Sequence, residues 1–398
     1  MHKIISTIIG LFIFGAKLLA QHSATIDPWA PGENIYGHYT GTIGNHKAVF
    51  DLRYGFQGGS NFGGSTCYFT DEAGLNFFII AQPPTFSHDE TLRGQIFPEN
   101  QPLSDIKNVY SILVQTKRFE CKLSNDSLIG KWMTPGQIDQ LNIALKEDYS
   151  NALPFVFKHA ADSVPIVGSV GKKSDTMRAI VSYTGVDISP GLKKKDAAFI
   201  SNAVAQFMSS PRTRVKDPKD LADACFQRFI TDFKTAAKEG KEVNGGNFTG
   251  KYTLFPVYND DGFVVLQEGG YQYDFEFKEY TDRYLYLCLD VKNKKTLKLN
   301  DVLDVNNDIL TPLLEKAFIK KYQLEPGKKL SDLFISDKMP LTDNFIIVNK
   351  GLIFSYCPTK IFHDDQDISE LQEMRLFLSY DELGSMLKPE FKNRIGLK

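Results

Sequence analysis

Short segments in which apolar and polar residues alternate fill the first third of the chain, and tight turns separate them. Alternation with a period of two residues predicts half-buried strands. The predicted strands are Tyr36–Thr40, Ala48–Tyr54, Thr66–Thr70, Leu75–Ile80, Leu92–Phe97, Val109–Gln115, Arg118–Leu123, Leu128–Met133 and Leu141–Leu145. Their regular spacing predicts an all-β meander over residues 21–150, closed into a small barrel or arranged as a sandwich.

The pattern changes after residue 150. Residues 151–174 contain several prolines and glycines with little periodicity, which predicts a connection between domains. Apolar residues then recur at helical spacing in two segments, first at Ile200, Val204 and Met208, and then at Leu221, Cys225, Phe229 and Phe233. Asp217-Pro218 precedes the second segment and is typical of a helix start.

One predicted strand precedes these helices, and strands return beyond residue 250, where strands and helices are segregated. The predicted strands are Met177–Gly185, Tyr252–Val257, Gly262–Gln267, Tyr271–Phe277, Tyr284–Val291, Phe345–Val348, Leu352–Tyr356 and Arg375–Ser379, and the predicted helices include Asp308–Tyr322 and Tyr380–Leu387. Segregated helices and strands are typical of α+β domains. We therefore predict an α+β protein in which residues 175–398 form an antiparallel sheet with packed helices.

The first twenty residues have the pattern of a secretory signal peptide. A short polar start with Lys3 precedes the largely apolar run Ile4–Phe14, and Ala20 fits the position before a cleavage point. Lys17 interrupts the run too early for a membrane-spanning helix, which needs about 20 apolar residues. No cysteine lies near the predicted cleavage point, so a lipid anchor has no acceptor there. We expect a mature chain without a membrane span, in a periplasm or secreted.

Composition narrows the classes of function. Lys and Arg number 46 and Asp and Glu number 48, giving a net charge of −2. This balance supplies no positive field for a nucleic-acid backbone, so we expect no nucleic-acid partner. The apolar fraction of 42% is that of a globular protein and excludes general disorder.

The five cysteines are Cys67, Cys121, Cys225, Cys288 and Cys357, and none forms a C-x-x-C pair. Their spacing therefore excludes zinc-ribbon and thioredoxin-like sites. Cys67 and Cys121 share the apolar face of their predicted strands and could pair across a β core, and Cys288 with Cys357 is a second option. The alternative is that all five are small buried apolar residues.

Glycine-rich and acidic segments resemble known ligand loops only in part. The glycines between Gly55 and Gly64 lead into a predicted strand, whereas a phosphate loop leads into a helix N-terminus. Asp304, Asn306, Asp308 and Glu315 match positions of a calcium loop, but Ile309 stands where that loop needs glycine. We interpret Asn306–Asp308 as a helix cap. No catalytic motif is present, and we expect no cofactor.

Two further groups of residues are candidate sites. His363, Asp364, Asp365 and Asp367 form the densest set of hard and imidazole ligands and could hold a divalent ion, although neighbouring acidic residues are more often simply solvated. Trp132 shares one face of its predicted strand with Leu128 and Gly130, where it could line a binding cavity or fill the core.

Three C-terminal segments resemble a domain that lies outside the membrane in lysozyme-binding anti-sigma factors of the RsiV kind and accompanies some peptidoglycan deacetylases. The segments are Lys295–Leu303, Gly351–Tyr356 and Leu376–Leu383. The resemblance covers roughly residues 175–390. Where that family often has a Gly-Gly-Ala-His turn, this chain has Gly269, Gly270, Tyr271 and Gln272, and we take these four residues and Tyr356 as candidate binding residues.

The resemblance implies an exported, non-catalytic binding protein of the bacterial envelope. Its expected partner is a cell-wall glycan or an envelope or foreign protein such as lysozyme. The alternative is a hydrolase that acts on envelope glycan or ester bonds. A concave pocket with convergent titratable side chains would favour the enzyme, whereas a flat aromatic patch would favour binding.

Overall fold

The computed structural model describes residues 35–54, 65–74, 77–82, 91–98, 117–124, 126–133, 140–167, 176–187, 192–208, 223, 226–231, 248–274, 279–322, 324, 329–363 and 373–397. The predicted signal peptide and the predicted strand Val109–Gln115 lie outside the described residues. Three sheets with a few helices form a mixed α+β fold, which confirms the predicted fold class.

Eight antiparallel strands of the first part form a closed barrel. Each strand pairs with the next along the chain, and the last pairs with the first through Thr40 and Lys146. The strands are β1 (Ile35–Ile43), β2 (His46–Tyr54), β3 (Ser65–Phe69), β4 (Phe77–Gln82), β5 (Thr91–Pro98), β6 (Lys117–Ser124), β7 (Ser127–Met133) and β8 (Gln140–Glu147). Of the two predicted arrangements, the chain therefore has the barrel.

Side chains fill the barrel interior because inward and outward positions alternate along each strand. On β6, Phe119 and Cys121 are buried while Glu120 and Lys122 are exposed. The interior residues form one apolar cluster that includes Phe50, Leu128 and Ile143. The alternation from which the strands were predicted is therefore the alternation that fills this core.

A six-stranded sheet follows, in the spatial order β14-β13-β12-β11-β10-β9. Its strands are β9 (Val156–Val167), β10 (Thr176–Asp187), β11 (Phe248–Asp260), β12 (Phe263–Asp274), β13 (Glu279–Asp290) and β14 (Lys295–Leu297). Helix α1 (Lys194–Met208) buries Ile200, Val204 and Met208, and residues 226–231 are also helical. Both segments lie between β10 and β11.

A three-stranded sheet of β15 (Phe345–Val348), β16 (Gly351–Tyr356) and β17 (Met374–Ser379) completes the fold. Helix α3 (Asn307–Tyr322) buries Leu310, Leu314 and Phe318, which recur every four residues. Three short helices are α2 (Leu299–Val302), α4 (Tyr380–Leu383) and α5 (Pro389–Arg394). None of the helices within the described residues has the length and apolar character needed to cross a membrane.

Helix α3 begins as predicted. The Oδ1 atom of Asn306 accepts a hydrogen bond from the backbone N–H of Asp308 at 3.0 Å, which satisfies one of the free donors of the first turn. Ile309 is already inside the helix. The acidic residues that match a calcium loop therefore flank a helix start.

Several predicted elements differ from those in the structure. Strands β10 and β11 are parallel, whereas the sheet was predicted to be antiparallel. A parallel pair needs a long crossover, and the two helical segments lie in it. Residues 262–277 were predicted as two strands, but β12 is continuous because Gly269 and Gly270 remain paired with neighbouring strands.

Two other predicted elements have different bounds in the structure. Part of the predicted connection is strand β9, which pairs with β10 from end to end. The predicted closing helix Tyr380–Leu387 is an α-helix to Leu383 and then a 3-10 turn over Gly384–Met386, because Gly384 has a φ of 46°.

The outer face of β1–β3 packs against the second sheet. Thr66 donates to the backbone carbonyl of Val257 at 3.2 Å, and the rings of Tyr68 and Tyr258 lie 5.6 Å apart. Asn349, in the turn between β15 and β16, donates to the carbonyl of Phe69 at 3.1 Å. Polar residues on this side of the barrel are therefore buried at the junction between the sheets.

Candidate functional site

A cavity of about 470 Å³ opens where the barrel meets the second sheet. It lies beside β1 and β2, the segment that follows β8 and the end of β11. Four lining side chains carry hydroxyl groups, namely Thr40, Thr42, Thr70 and Ser150, and four are titratable, namely His38, Lys47, Asp148 and Asp260. Its volume falls in the range of small-molecule sites. The lining suits a ligand rich in hydroxyl groups.

A buried hydrogen-bond network lies behind this cavity and reaches its wall through His38. The Oδ1 atom of Asp51 accepts the Tyr36 hydroxyl at 2.6 Å and lies 2.8 Å from Nδ1 of His38. Asn259 on β11 donates to the Tyr36 oxygen at 2.8 Å and exchanges two hydrogen bonds with the backbone of Leu153. The network therefore fastens the barrel to the second sheet.

Asp148 forms part of the cavity wall in a fixed orientation. Its carboxylate accepts the backbone N–H of Ser150 at 2.8 Å and the Thr40 hydroxyl at 3.2 Å. The backbone hydrogen bond from Ser150 is the main cause that lowers the pKa of Asp148. Asp148 is therefore an ionised acceptor at neutral pH, held in place before any ligand arrives.

The charges around His38 favour its protonated form. Burial disfavours that form, but the charge and hydrogen bond of Asp51 and the charges of Asp260 and Asp148 outweigh burial, so the pKa of His38 is raised. Among the described residues that line the cavity, Lys47 is the one basic residue besides His38. The cavity is thus suited to hydroxyl or amino groups and less to anions.

We expect the raised pKa of His38 to make folding stability depend on pH. A group whose pKa is higher in the folded state adds stability that is fully present below its unfolded pKa of about 6.5 and is lost as the pH rises through the folded pKa. Urea unfolding of the wild type should therefore show stability falling from pH 6 upward, and His38→Gln should lose this slope. An unchanged slope in the variant would contradict the assignment.

The residues predicted from the sequence to bind a ligand lie at different places in the structure. Trp132 is 2% exposed and belongs to the barrel core, as the core-filling alternative had it. Gly269 is buried in β12, and a side chain there would meet Thr253. Gly270, Tyr271 and Gln272 continue β12, and their side chains lie outside the described residues. Tyr356 is buried at the end of β16. Trp132, Gly269 and Tyr356 are not among the residues that line the cavity.

The predicted metal ligands are only partly described. His363 is half-buried, with Nε2 at 3.2 Å from the carbonyl oxygen of Ser331. Asp364, Asp365 and Asp367 lie outside the described residues. Within the part of the chain that the structure describes, no group of three His, Cys, Asp or Glu residues is arranged to hold a metal ion.

The described cysteines are free thiols. Cys67 and Cys121 lie in the barrel core, and Cys288 donates to the carbonyl of Phe345 at 3.3 Å. Burial is the main cause that raises the pKa of Cys288 to about 12, so this thiol is unreactive at neutral pH. Cys357 is also free, and Cys225 lies outside the described residues. The structure therefore has neither of the two disulfides considered.

The cavity residues were not identified from the sequence. His38, Asp148 and Asp260 lie on three separate elements and share no spacing pattern. One signal was available for the buried groups beside the cavity: Asp51 and Arg53 are charged residues at alternate positions of the predicted strand Ala48–Tyr54. That pattern is also typical of a solvent-facing barrel surface, so it does not distinguish the two environments.

Together these features define an α+β protein with a closed barrel and a polar cavity at its junction with a second sheet. The chain is similar to a solved DUF3298 family structure from Bacteroides fragilis, at 13% identity over 62% of this chain and 100% of that one, with a TM-score of 0.45. A DUF3298 family protein from Pseudomonas aeruginosa shows 14% identity over 60% and 97%, with a TM-score of 0.38. No protein-family profile and no curated protein sequence matches the chain.

Proposed function

We propose that the protein is an exported, non-catalytic binding protein of the bacterial envelope whose ligand is a cell-wall glycan. The observation that carries this proposal is the cavity of about 470 Å³ with its four hydroxyl side chains and its two carboxylates. Sugars present several hydroxyl groups at once, and fixed acceptors such as Asp148 match such donors. The signal-like N-terminal segment supports export.

The position of His38 favours binding over catalysis. Its side chain is 2% exposed, and so is that of its partner Asp51. A general base must reach the proton that it removes, directly or through one water molecule. The His38–Asp51 pair also has a structural role, because it belongs to the network that fastens the barrel to the second sheet. The more accessible groups are the hydroxyl groups of the wall.

Blocking the cavity should abolish binding without unfolding the chain. Thr42 is exposed on β1 at the cavity wall, so Thr42→Trp fills the space while leaving the barrel core intact. We expect binding of soluble peptidoglycan fragments, measured by calorimetry, to weaken at least about tenfold, the equivalent of one or two lost hydrogen bonds. Ser124→Trp, on an exposed barrel strand outside the cavity, is the matched control.

A narrower variant tests the acceptor itself. Asp148→Asn keeps an oxygen for the N–H of Ser150 but removes the charge, and we expect affinity for the same fragments to fall by a smaller factor. Asp337→Asn, on an exposed loop outside the cavity, should bind as the wild type does. Equal affinities in all four variants would contradict a glycan site in this cavity.

A hydrolase is the second candidate, because the His38–Asp51 pair lies at a concave site with nearby carboxylates, the arrangement expected to favour an enzyme. The assay is direct: the mature chain is incubated with purified peptidoglycan and the supernatant is analysed for new reducing ends and released acetate. Retention of the protein on the peptidoglycan, without new reducing ends or released acetate, supports the binding proposal. Turnover that His38→Gln abolishes would replace the binding proposal. Retention on immobilised lysozyme alone would assign the partner as a protein.

A further inference from the structure

Arg53 on β2 is buried with no hydrogen-bond partner. All three guanidinium nitrogen atoms lack a partner among the described residues, and the side chain is one of the largest that are fully buried. A buried charged group without a partner costs several kcal/mol. No hydrogen bond to the described residues compensates this charge.

The surroundings of Arg53 come from three parts of the fold. Its guanidinium carbon lies 5.9 Å from the centre of the Phe255 ring on β11. Asp51, Tyr36, Tyr286 and Arg375 are close enough to act on it electrostatically. The guanidinium thus lies where the barrel, the second sheet and the three-stranded sheet converge, and it does not line the cavity described above.

Two carboxylates of this region, Asp51 and Glu373, are already engaged. Oδ1 of Asp51 holds Tyr36 and His38. Glu373, on the far side, accepts hydrogen bonds from Tyr286 at 2.6 Å, from Ser355 at 2.5 Å and from Nε of Arg375 at 2.8 Å. Neither carboxylate forms an ion pair with Arg53 within the described part of the chain.

Protonation of Arg53 persists despite this environment. Burial is the main cause that lowers its pKa to about 10, and Arg375 lowers it further while Asp51 raises it. At neutral pH the group is still a cation with five unused donors. Losing the proton is therefore not the way in which the charge is compensated.

We propose that Arg53 is the anchor of a buried oxyanion site at the convergence of the three sheets. The ligand class is a small anion with two adjacent acceptor oxygens, such as inorganic phosphate or a carboxylate, because the planar fork of arginine binds such pairs in a bidentate manner. Arg375 adds a second positive charge nearby. The site is independent of the proposed glycan cavity.

The test is equilibrium urea unfolding of the mature chain with increasing phosphate, at constant ionic strength adjusted with chloride. Equilibrium unfolding compares the folded and unfolded states, so it detects a buried ligand even when exchange is slow. A ligand bound only to the folded state lowers the unfolding equilibrium constant by a factor of 1 + [L]/Kd, about a hundredfold at a hundred times Kd. Acetate in place of phosphate distinguishes carboxylate from phosphate as the preferred oxyanion.

Arg53→Met is the main variant, because it keeps an apolar stem and removes the charge. We expect the stabilisation by phosphate to disappear in Arg53→Met, to be smaller in Arg53→Lys, and to be unchanged in Arg118→Met, an exposed arginine on β6. Without oxyanions, Arg53→Met should be at least as stable as the wild type. If Arg53→Met fails to fold, Arg53→Lys, which keeps the charge and the stem, decides the question.

Two outcomes would overturn the proposal. Equal stabilisation by phosphate in the wild type and the Arg53 variants would show a general salt effect. No stabilisation of the wild type by either phosphate or acetate would show that no oxyanion binds at the guanidinium. Each outcome leaves the glycan proposal untouched, because that proposal depends on other residues.

Discussion

Asp51→Ala is expected to destabilise the fold by about 3–5 kcal/mol, the cost of breaking a buried charge pair. The substitution removes the acceptor of the Tyr36 hydroxyl and the partner of His38, and both side chains stay buried. A buried donor without an acceptor carries its full desolvation cost. Urea unfolding followed by circular dichroism measures the loss.

The control for this prediction is Asp126→Ala. Asp126 forms an exposed ion pair with Lys146 at 3.3 Å, and such pairs contribute little. Its unfolding midpoint should match the wild type. If Asp51→Ala lost no more folding stability than Asp126→Ala, the network would not fasten the barrel to the second sheet.

Gly130→Ala is expected to cost at least about 3 kcal/mol, because a side chain cannot fit between β7 and β6. A Cβ atom at this position would lie 1.9 Å from the carbonyl oxygen of Glu120 and 2.6 Å from Cα of Cys121. Both are backbone atoms, so relief requires the two paired strands to separate. Thermal unfolding and the near-ultraviolet signal of Trp132, which follows on β7, report this change.

Gly396→Ala is the matched control for a glycine replaced without a clash. Nothing lies within 4 Å of a Cβ atom at Gly396, and its φ of 72° limits the cost to that of a left-handed residue, about 1 kcal/mol. If Gly130→Ala cost no more than this control, the packing of β6 against β7 would be looser than the register indicates.

The barrel could be predicted from the sequence because its core obeys a local rule. In a filled barrel, the side chains that alternate along a strand also alternate between core and exterior, so Phe119, Cys121 and Leu128 were read correctly from their neighbours. The helices α1 and α3 were predicted for a similar reason, since apolar residues every three or four positions share one face. The local periodicity of apolar residues is therefore enough to predict the barrel core and these two helices.

The junction could not be predicted, because it depends on contacts between distant segments. Tyr36, His38, Asp51 and Arg53 occupy outward positions of the barrel, where polar residues normally meet water. They are buried because the second sheet covers them. No local pattern records which outward face another sheet will cover, so the cavity and the buried Arg53 emerged only from the structure.

The closure of the barrel has a consequence for the order of folding. Strand β1 pairs with β8, and the nearby hydrogen bond between Thr40 and Asp148 joins residues that are 108 positions apart in the sequence. The hydrogen bond between Asn259 and Tyr36 joins residues that are 223 positions apart. Contacts at such separations form slowly, since long loops must close first. During synthesis, β1 and β2 emerge long before the partners that cover Asp51 and Arg53. The side chains of Asp51 and Arg53 therefore stay uncovered until β11 has emerged, so the barrel exposes a polar face that only the complete chain buries.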